Sequence, residues 1–261
     1  MKRKMLIKAS FFIFLKNYVI IYYKIKRKVV IYMTLLDILK GISIPDQLGI
    51  YESDGLTYST ENYIDEVIRE AELNNLKVSY YYGASQLVFI ENEDTANRVY
   101  KLPFDGMIRE WSEYNEQIND YDWHEEWEDY YTNYTAKTLE LYNYAIEEGV
   151  NEFFADIKEE AFSFNHCIIY SQAFVVPRSA QTKSAHPSED SLNKAKKIRE
   201  EKYIPFSTDW IAVCIEMYGE DKFNQLLNFI NEYNIDDLHM SNYGFTRDGK
   251  PMILDYAGYN E

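Results

Sequence analysis

The stretch "DLHMSNYGFTRDGKPMILDYAG", residues 237–258, constrains this chain more than any other segment. An Asp-Gly pair between two short apolar runs is a strong hairpin signal, because a tight two-residue turn needs positive φ at both central positions. With Asp248-Gly249 as that turn, the predicted pairing sets Phe245 opposite Met252, Gly244 opposite Ile253, Tyr243 opposite Leu254, and Asn242 opposite Asp255. Directly opposed side chains have Cβ atoms roughly 4.5–5.5 Å apart. An amide oxygen and a carboxylate so placed can share a hard divalent cation, and Mg²⁺ commonly takes one or two carboxylates with phosphate oxygens and water. Asp237, five residues before Asn242 across a loop, can project into the same space as a base or an orienter of a nucleophile.

Charge divides the 261 residues sharply. The first 32 hold nine Lys or Arg and no acid; the remaining 229 carry 18 basic against 43 acidic residues, a formal charge of −25. So acidic a body is a poor match for a phosphate backbone, which excludes nucleic acid as the expected partner. The leader's apolar runs are broken by Lys16 and by the cluster Lys24–Lys28, so it lacks the roughly 20 uninterrupted apolar residues of a spanning helix and has no small-residue cleavage site. It reads either as a membrane-surface helix or as sequence upstream of a start at Met33, so membrane contact is expected only if residues 1–32 are translated. Cys167 and Cys214 make no metal-ligand spacing with the four histidines, which fits a reduced, cytoplasmic setting.

Past Met33, residues 33–75 form a helical extension. Within it, 60–73 places Tyr63, Ile64, Val67, Ile68 and Ala71 on one helical face. Residues 76–104 predict two strands separated by "ENEDTAN", the first interrupted at Gly83-Ala84-Ser85. Helix is predicted for 121–148, with Trp123, Trp127, Tyr130 and Tyr134 at helical spacing, and Glu113 and Glu116 fall in an earlier helix. A strand at 166–176 ends at Pro177, the polar run 178–202 reads as a linker or exposed insertion, and two helices follow with Gly219 between them.

The terminal constellation resembles the catalytic core of the protein-kinase-like superfamily, in which Asp-x-x-x-x-Asn is followed across a hairpin by a metal-binding Asp. "DLHMSN" supplies Asp237 and Asn242, "LDYAG" supplies Asp255, and His239 makes the loop more similar to the aminoglycoside and choline kinase branch. The resemblance implies an α+β, two-lobed fold: a small β-sheet N-lobe over 76–177, the 178–205 linker, and an abbreviated helical C-lobe over 206–261. It implies ATP and Mg²⁺ as cofactors, Asn242 and Asp255 as metal ligands, and Asp237 and Lys101 as catalytic residues. Lys101, in "NRVYK", would hold phosphates; Gly83 and Ser85 would be what remains of a glycine-rich loop. Glu140 is the expected partner of Lys101, with Glu113 or Glu116 as alternatives. The sequence departs from the family at Ile235-Asp236, where His-Arg is usual, and ends six residues past Asp255, so an activation segment is not expected. Three readings follow: a phosphotransferase acting on a small-molecule or protein hydroxyl, a pseudokinase-like module for a basic protein partner, and a hairpin that binds nothing.

Overall fold

The computed structural model describes residues 33–53, 55–162, 167–181 and 186–257, with short backbone pieces at 14–15 and 18–19. The leader, its membrane reading and the alternative start therefore lie outside the described residues. The fold is mixed α+β, with six α-helices and eleven sheet strands among the described residues from Met33 onward. No described helix is long and apolar enough to cross a membrane.

The chain opens with α1 (Leu35–Gly41), β1 (Gly49–Tyr51) and α2 (Tyr58–Leu73). Thr34 begins α1 with a reciprocal capping box to Asp37, and Thr57 caps α2. As the periodicity predicts, α2 buries Tyr63, Ile64, Val67 and Ala71. Both helices cover one face of a five-stranded antiparallel sheet in the order β2 (Val78–Tyr82), β3 (Gln86–Glu91), β4 (Arg98–Pro103), β8 (Ile168–Ala173), β7 (Ile157–Phe162). Leu87, Phe89, Leu102, Phe104 and Ile169 of the sheet region meet Leu35, Ile38, Leu39 and Val67 in one hydrophobic core.

Between β4 and the next helix the chain extends a ribbon, β5 (Gly106–Asn115) with β6 (Asp120–Asp129). The predicted helices over 121–148 and around Glu113 and Glu116 are thus corrected: helix begins only at α3 (Tyr134–Glu147). Trp123 and Trp127, four residues apart, satisfy a helical stripe and a strand's two-residue repeat equally, so spacing could not separate them. Pairing decides in favour of strand, with Ser112 opposite Trp123 and Ile108 opposite Trp127. The Trp127 ring lies against Gly49 and Gly106, where any Cβ would stand within 3 Å of it.

The second core is built from α3, α4 (Glu189–Lys202), α5 (Thr208–Tyr218), α6 (Glu220–Glu232) and the terminal hairpin, with Trp210, Phe206, Phe154, Tyr243 and Tyr256 buried at its centre. Here a second expectation fails, because most of the polar run 178–202 is helix. Ser188 caps α4, acids occupy its first turn and bases its last, and the small residues Ser191 and Ala195 with Ile198 are buried. A stripe that narrow carries almost no hydrophobic signal, which is why the segment reads as linker.

Candidate nucleotide-binding site

Between the sheet's other face and the terminal hairpin lies a cavity of about 510 Å³. Its walls are mostly apolar, from Val88 and Ile90 of β3, Val99 of β4 and the Phe174–Val176 segment after β8; Lys101 and Asp255 also line it. An apolar pocket with a few convergent polar groups is the usual form of a small-molecule site.

Lys101 reaches this position because β4 alternates. Tyr100 and Leu102 point into the first core, so Val99 and Lys101 point the other way. Only 4% of Lys101 is exposed. Burial pushes its ammonium pKa below the ordinary lysine value, and the Asp255 carboxylate pulls it partly back. Asp255 is the one charge that acts on it appreciably among the described residues. The expected partner Glu140 is not brought to it: that side chain is exposed and accepts a 2.9 Å hydrogen bond from the Tyr144 hydroxyl. The buried face of α3 is Thr135, Thr138, Leu141 and Ala145, and Glu140 falls on the opposite side. Glu113 and Glu116, in and just after β5, are also exposed.

The hairpin differs from its predicted register by one residue. Strands β10 (Tyr243–Phe245) and β11 (Pro251–Ile253) pair Tyr243 with Ile253, Gly244 with Met252 and Phe245 with Pro251. The turn holds three residues instead of two. The Gly249 amide donates to the Thr246 carbonyl at 3.0 Å, and in this turn only Gly249 has positive φ, at 85°. The Thr246 hydroxyl donates to Asp248 and accepts from the Lys250 amide, which ties the longer turn closed. Asn242 therefore stands across from Leu254, whose amide donates to the Asn242 carbonyl at 2.8 Å, and Asp255 comes one residue later. The shift turns Tyr243 and Ile253 into the core and leaves Asp255 at the cavity.

Asn242 and Asp237 do come together. The Asn242 amide nitrogen donates to the Asp237 carbonyl at 2.8 Å and to its carboxylate at 3.1 Å. His239 Nε2 lies 3.5 Å from the other carboxylate oxygen, and its Nδ1 accepts from the Ser241 amide at 3.2 Å. With its nitrogen so engaged, the Asn242 amide keeps its oxygen available as a ligand. Ser241 and Leu254, beside these residues, line the cavity.

Gly83 also lines the cavity; Ser85 does not, and its carbonyl accepts from the Phe104 amide at 2.9 Å. The Tyr130 hydroxyl donates to the Ala84 carbonyl at 2.8 Å, so the 83–85 loop is pinned from behind. Nothing lies within 4 Å of a Cβ built on Gly83, and its φ is not positive, so the fold itself does not demand glycine there.

Gln172 was missed in the sequence. It is 1% exposed, lines the cavity, and donates to the Leu254 carbonyl at 2.8 Å, joining sheet to hairpin. An amide inside the apolar run "IIYSQAFVV" was the available signal, since a buried amide must find partners. Arg98 was missed too; it donates to Asp156 at 2.6 Å and to the Ser171 hydroxyl at 2.9 Å, fixing β4, the strand of Lys101, to β8. No family model, no curated protein and no solved structure matches the chain.

Proposed function

We propose that this protein is a kinase-like phosphotransferase that uses ATP and Mg²⁺ on a hydroxyl acceptor, with a small β-sheet lobe ending near Pro177 and a helical lobe after it. The observation that carries the reading is that Lys101 and Asp255 both line one largely apolar cavity and act on each other electrostatically. The cavity's apolar wall is a third, small cluster of Val88, Ile90, Val99 and Phe174, apart from the two larger hydrophobic cores.

The adenine ring would occupy the apolar part, which Val88, Val99 and the Phe174–Val176 segment line. Lys101, almost wholly desolvated, would hold phosphate oxygens; an anion there relieves the cost of burying its charge. The Asn242 amide oxygen and the Asp255 carboxylate would hold Mg²⁺. That ion supplies charge neutralisation on the phosphates. Asp237 would orient the acceptor hydroxyl and take its proton as the acceptor oxygen bonds to the γ-phosphorus and the bond to ADP breaks. Asn242, which donates to the Asp237 carboxylate, and His239, 3.5 Å from its other oxygen, hold that carboxylate in place.

The test is phosphate transfer or ATP turnover by the full chain against Asp237→Asn and Lys101→Met. A loss of roughly 10²-fold or more in both supports the assignment. Equal rates in all three would refute it. One observation favours a second reading, nucleotide binding without transfer: Lys101 lacks a carboxylate partner on α3. That reading predicts tight, Asp255-dependent nucleotide binding with no turnover.

A further inference from the structure

Asp255 lies two residues beyond the end of β11, so strand pairing does not fix its backbone. Its own amide donates to the Asn242 carbonyl at 3.4 Å, a long and therefore weak bond. A carboxylate that holds Mg²⁺ has to be aimed more firmly, because that ion demands near-ideal ligand geometry. The missing constraint comes from outside the hairpin.

Gln172 sits in β8 opposite Val99, an amide in a mostly apolar cavity wall. A buried amide nitrogen has two hydrogens to place, and leaving them unplaced is costly. Here Nε2 donates to the Leu254 carbonyl at 2.8 Å and to the Ala155 carbonyl at 3.4 Å. Leu254 immediately precedes Asp255. Tyr256, which immediately follows it, is also buried, and its hydroxyl donates to the same Ala155 carbonyl at 3.2 Å. The Ala155 amide donates to the Ile253 carbonyl at 2.8 Å, so the segment that joins the two grips is itself fastened to β11. Asp255 is thus held on both flanks, and none of these bonds uses its carboxylate, which lines the cavity.

We propose that Gln172 is a positioning residue for the metal: its amide, with the Tyr256 hydroxyl as a second arm, holds the backbone of 254–256 so that the Asp255 carboxylate is aimed at the cation of the nucleotide complex. The inference rests on the phosphotransferase reading and adds to it a residue of the sheet that governs metal affinity without touching the ion. Partners that orient a metal ligand in this way are typically worth roughly 10- to 100-fold in metal affinity.

The experiment measures ATP affinity of the full chain in excess Mg²⁺ and in EDTA, and takes the ratio of the two dissociation constants as the metal's contribution. Gln172→Met keeps the length of the side chain and removes its hydrogen bonds; it should shrink that ratio by about tenfold or more and leave affinity in EDTA nearly unchanged. Tyr256→Phe should shrink the ratio less, in the same direction, and supplies the reading if the methionine variant does not fold. Asp255→Ala should abolish the metal's contribution, and adding Gln172→Met to it should change the ratio no further, because the amide acts through that carboxylate. Val67→Ala, in the first core, should lower the thermal midpoint and keep the wild-type ratio. A ratio unchanged in Gln172→Met and Tyr256→Phe, an equal loss of affinity with and without metal, or an equal fall in Val67→Ala would overturn the proposal and leave the nucleotide site standing. A wild-type chain that binds no ATP, or binds it equally in Mg²⁺ and EDTA, would overturn the phosphotransferase reading and the proposal together.

Discussion

Two β-hairpins in this chain are stabilised in opposite ways. The terminal pair, β10 and β11, is three residues long on each side, and five of its six residues are buried. The β5–β6 ribbon is ten residues long on each side and mostly exposed. The short hairpin is held by what surrounds it: Trp210 donates its indole N–H to the Gly244 carbonyl at 2.9 Å, and β9 (Val176–Pro177) pairs with β10. The long one is held by its own cross-strand pairs, such as Trp111 stacked on His124 and Tyr114 edge-on to Tyr121. Local pairing therefore dictates the ribbon, while tertiary packing dictates the register at Asp255.

Substitutions should separate the two regimes. The largest effect belongs to Gly244→Ala, whose Cβ would stand 1.9 Å from the Val176 carbonyl oxygen. We expect a loss of roughly 3 kcal/mol or more in denaturant unfolding, together with loss of nucleotide binding, because β9 and β10 separate. Trp210→Ala should cost about 3–5 kcal/mol, as removal of a fully buried aromatic does, and a value under about 1 kcal/mol would show that the second core is loose. Gly249→Ala should cost roughly 1–2 kcal/mol, since it strains the positive-φ turn and leaves the pairing intact.

Lys101→Met should act in the other direction, raising the thermal midpoint by a few degrees by removing a buried charge, while it eliminates the response to nucleotide. The sign follows from Lys101's lowered pKa in the fold. Between that pKa and the ordinary lysine value the unfolded chain binds more protons, so this residue makes stability rise with pH there, and its full cost is present below. The methionine variant should lack that rise, read as the difference between the two proteins at each pH so that the tyrosine phenols common to both cancel. Smallest of all, Gly83→Ala and Trp123→Ala should each change global stability by less than about 0.5 kcal/mol.

The sequence made α2, α5, α6 and strands β4 and β8 legible, because each has a strong single period or a clear turn at its end, whereas β2 and β3 read as one strand interrupted at Gly83-Ala84-Ser85. Lys101 and Asp255 could be named as candidate site residues from their surroundings in the chain. Their meeting in one cavity could not, because it depends on a turn of three residues that Thr246 and Asp248 create together. The Asp-Gly rule locates the turn but cannot count its residues without the packing of Tyr243 and Ile253. The ribbon was misread for the opposite reason: Trp123 and Trp127 fit both periods, and the strand that decides between them lies in the preceding segment. Glu140 was chosen as a helical acid downstream of Lys101, and only the orientation of α3 shows that it faces water.

The most direct test of the site is thermal unfolding of the full chain with and without ATP and Mg²⁺, beside Asp255→Ala. At a ligand concentration about 100 times the dissociation constant, binding should stabilise the wild type by roughly 2.7 kcal/mol, a shift of several degrees. This shift should need the metal and disappear in Asp255→Ala; a midpoint unmoved by millimolar nucleotide, or moved equally in the variant, would contradict a nucleotide site at Asp255.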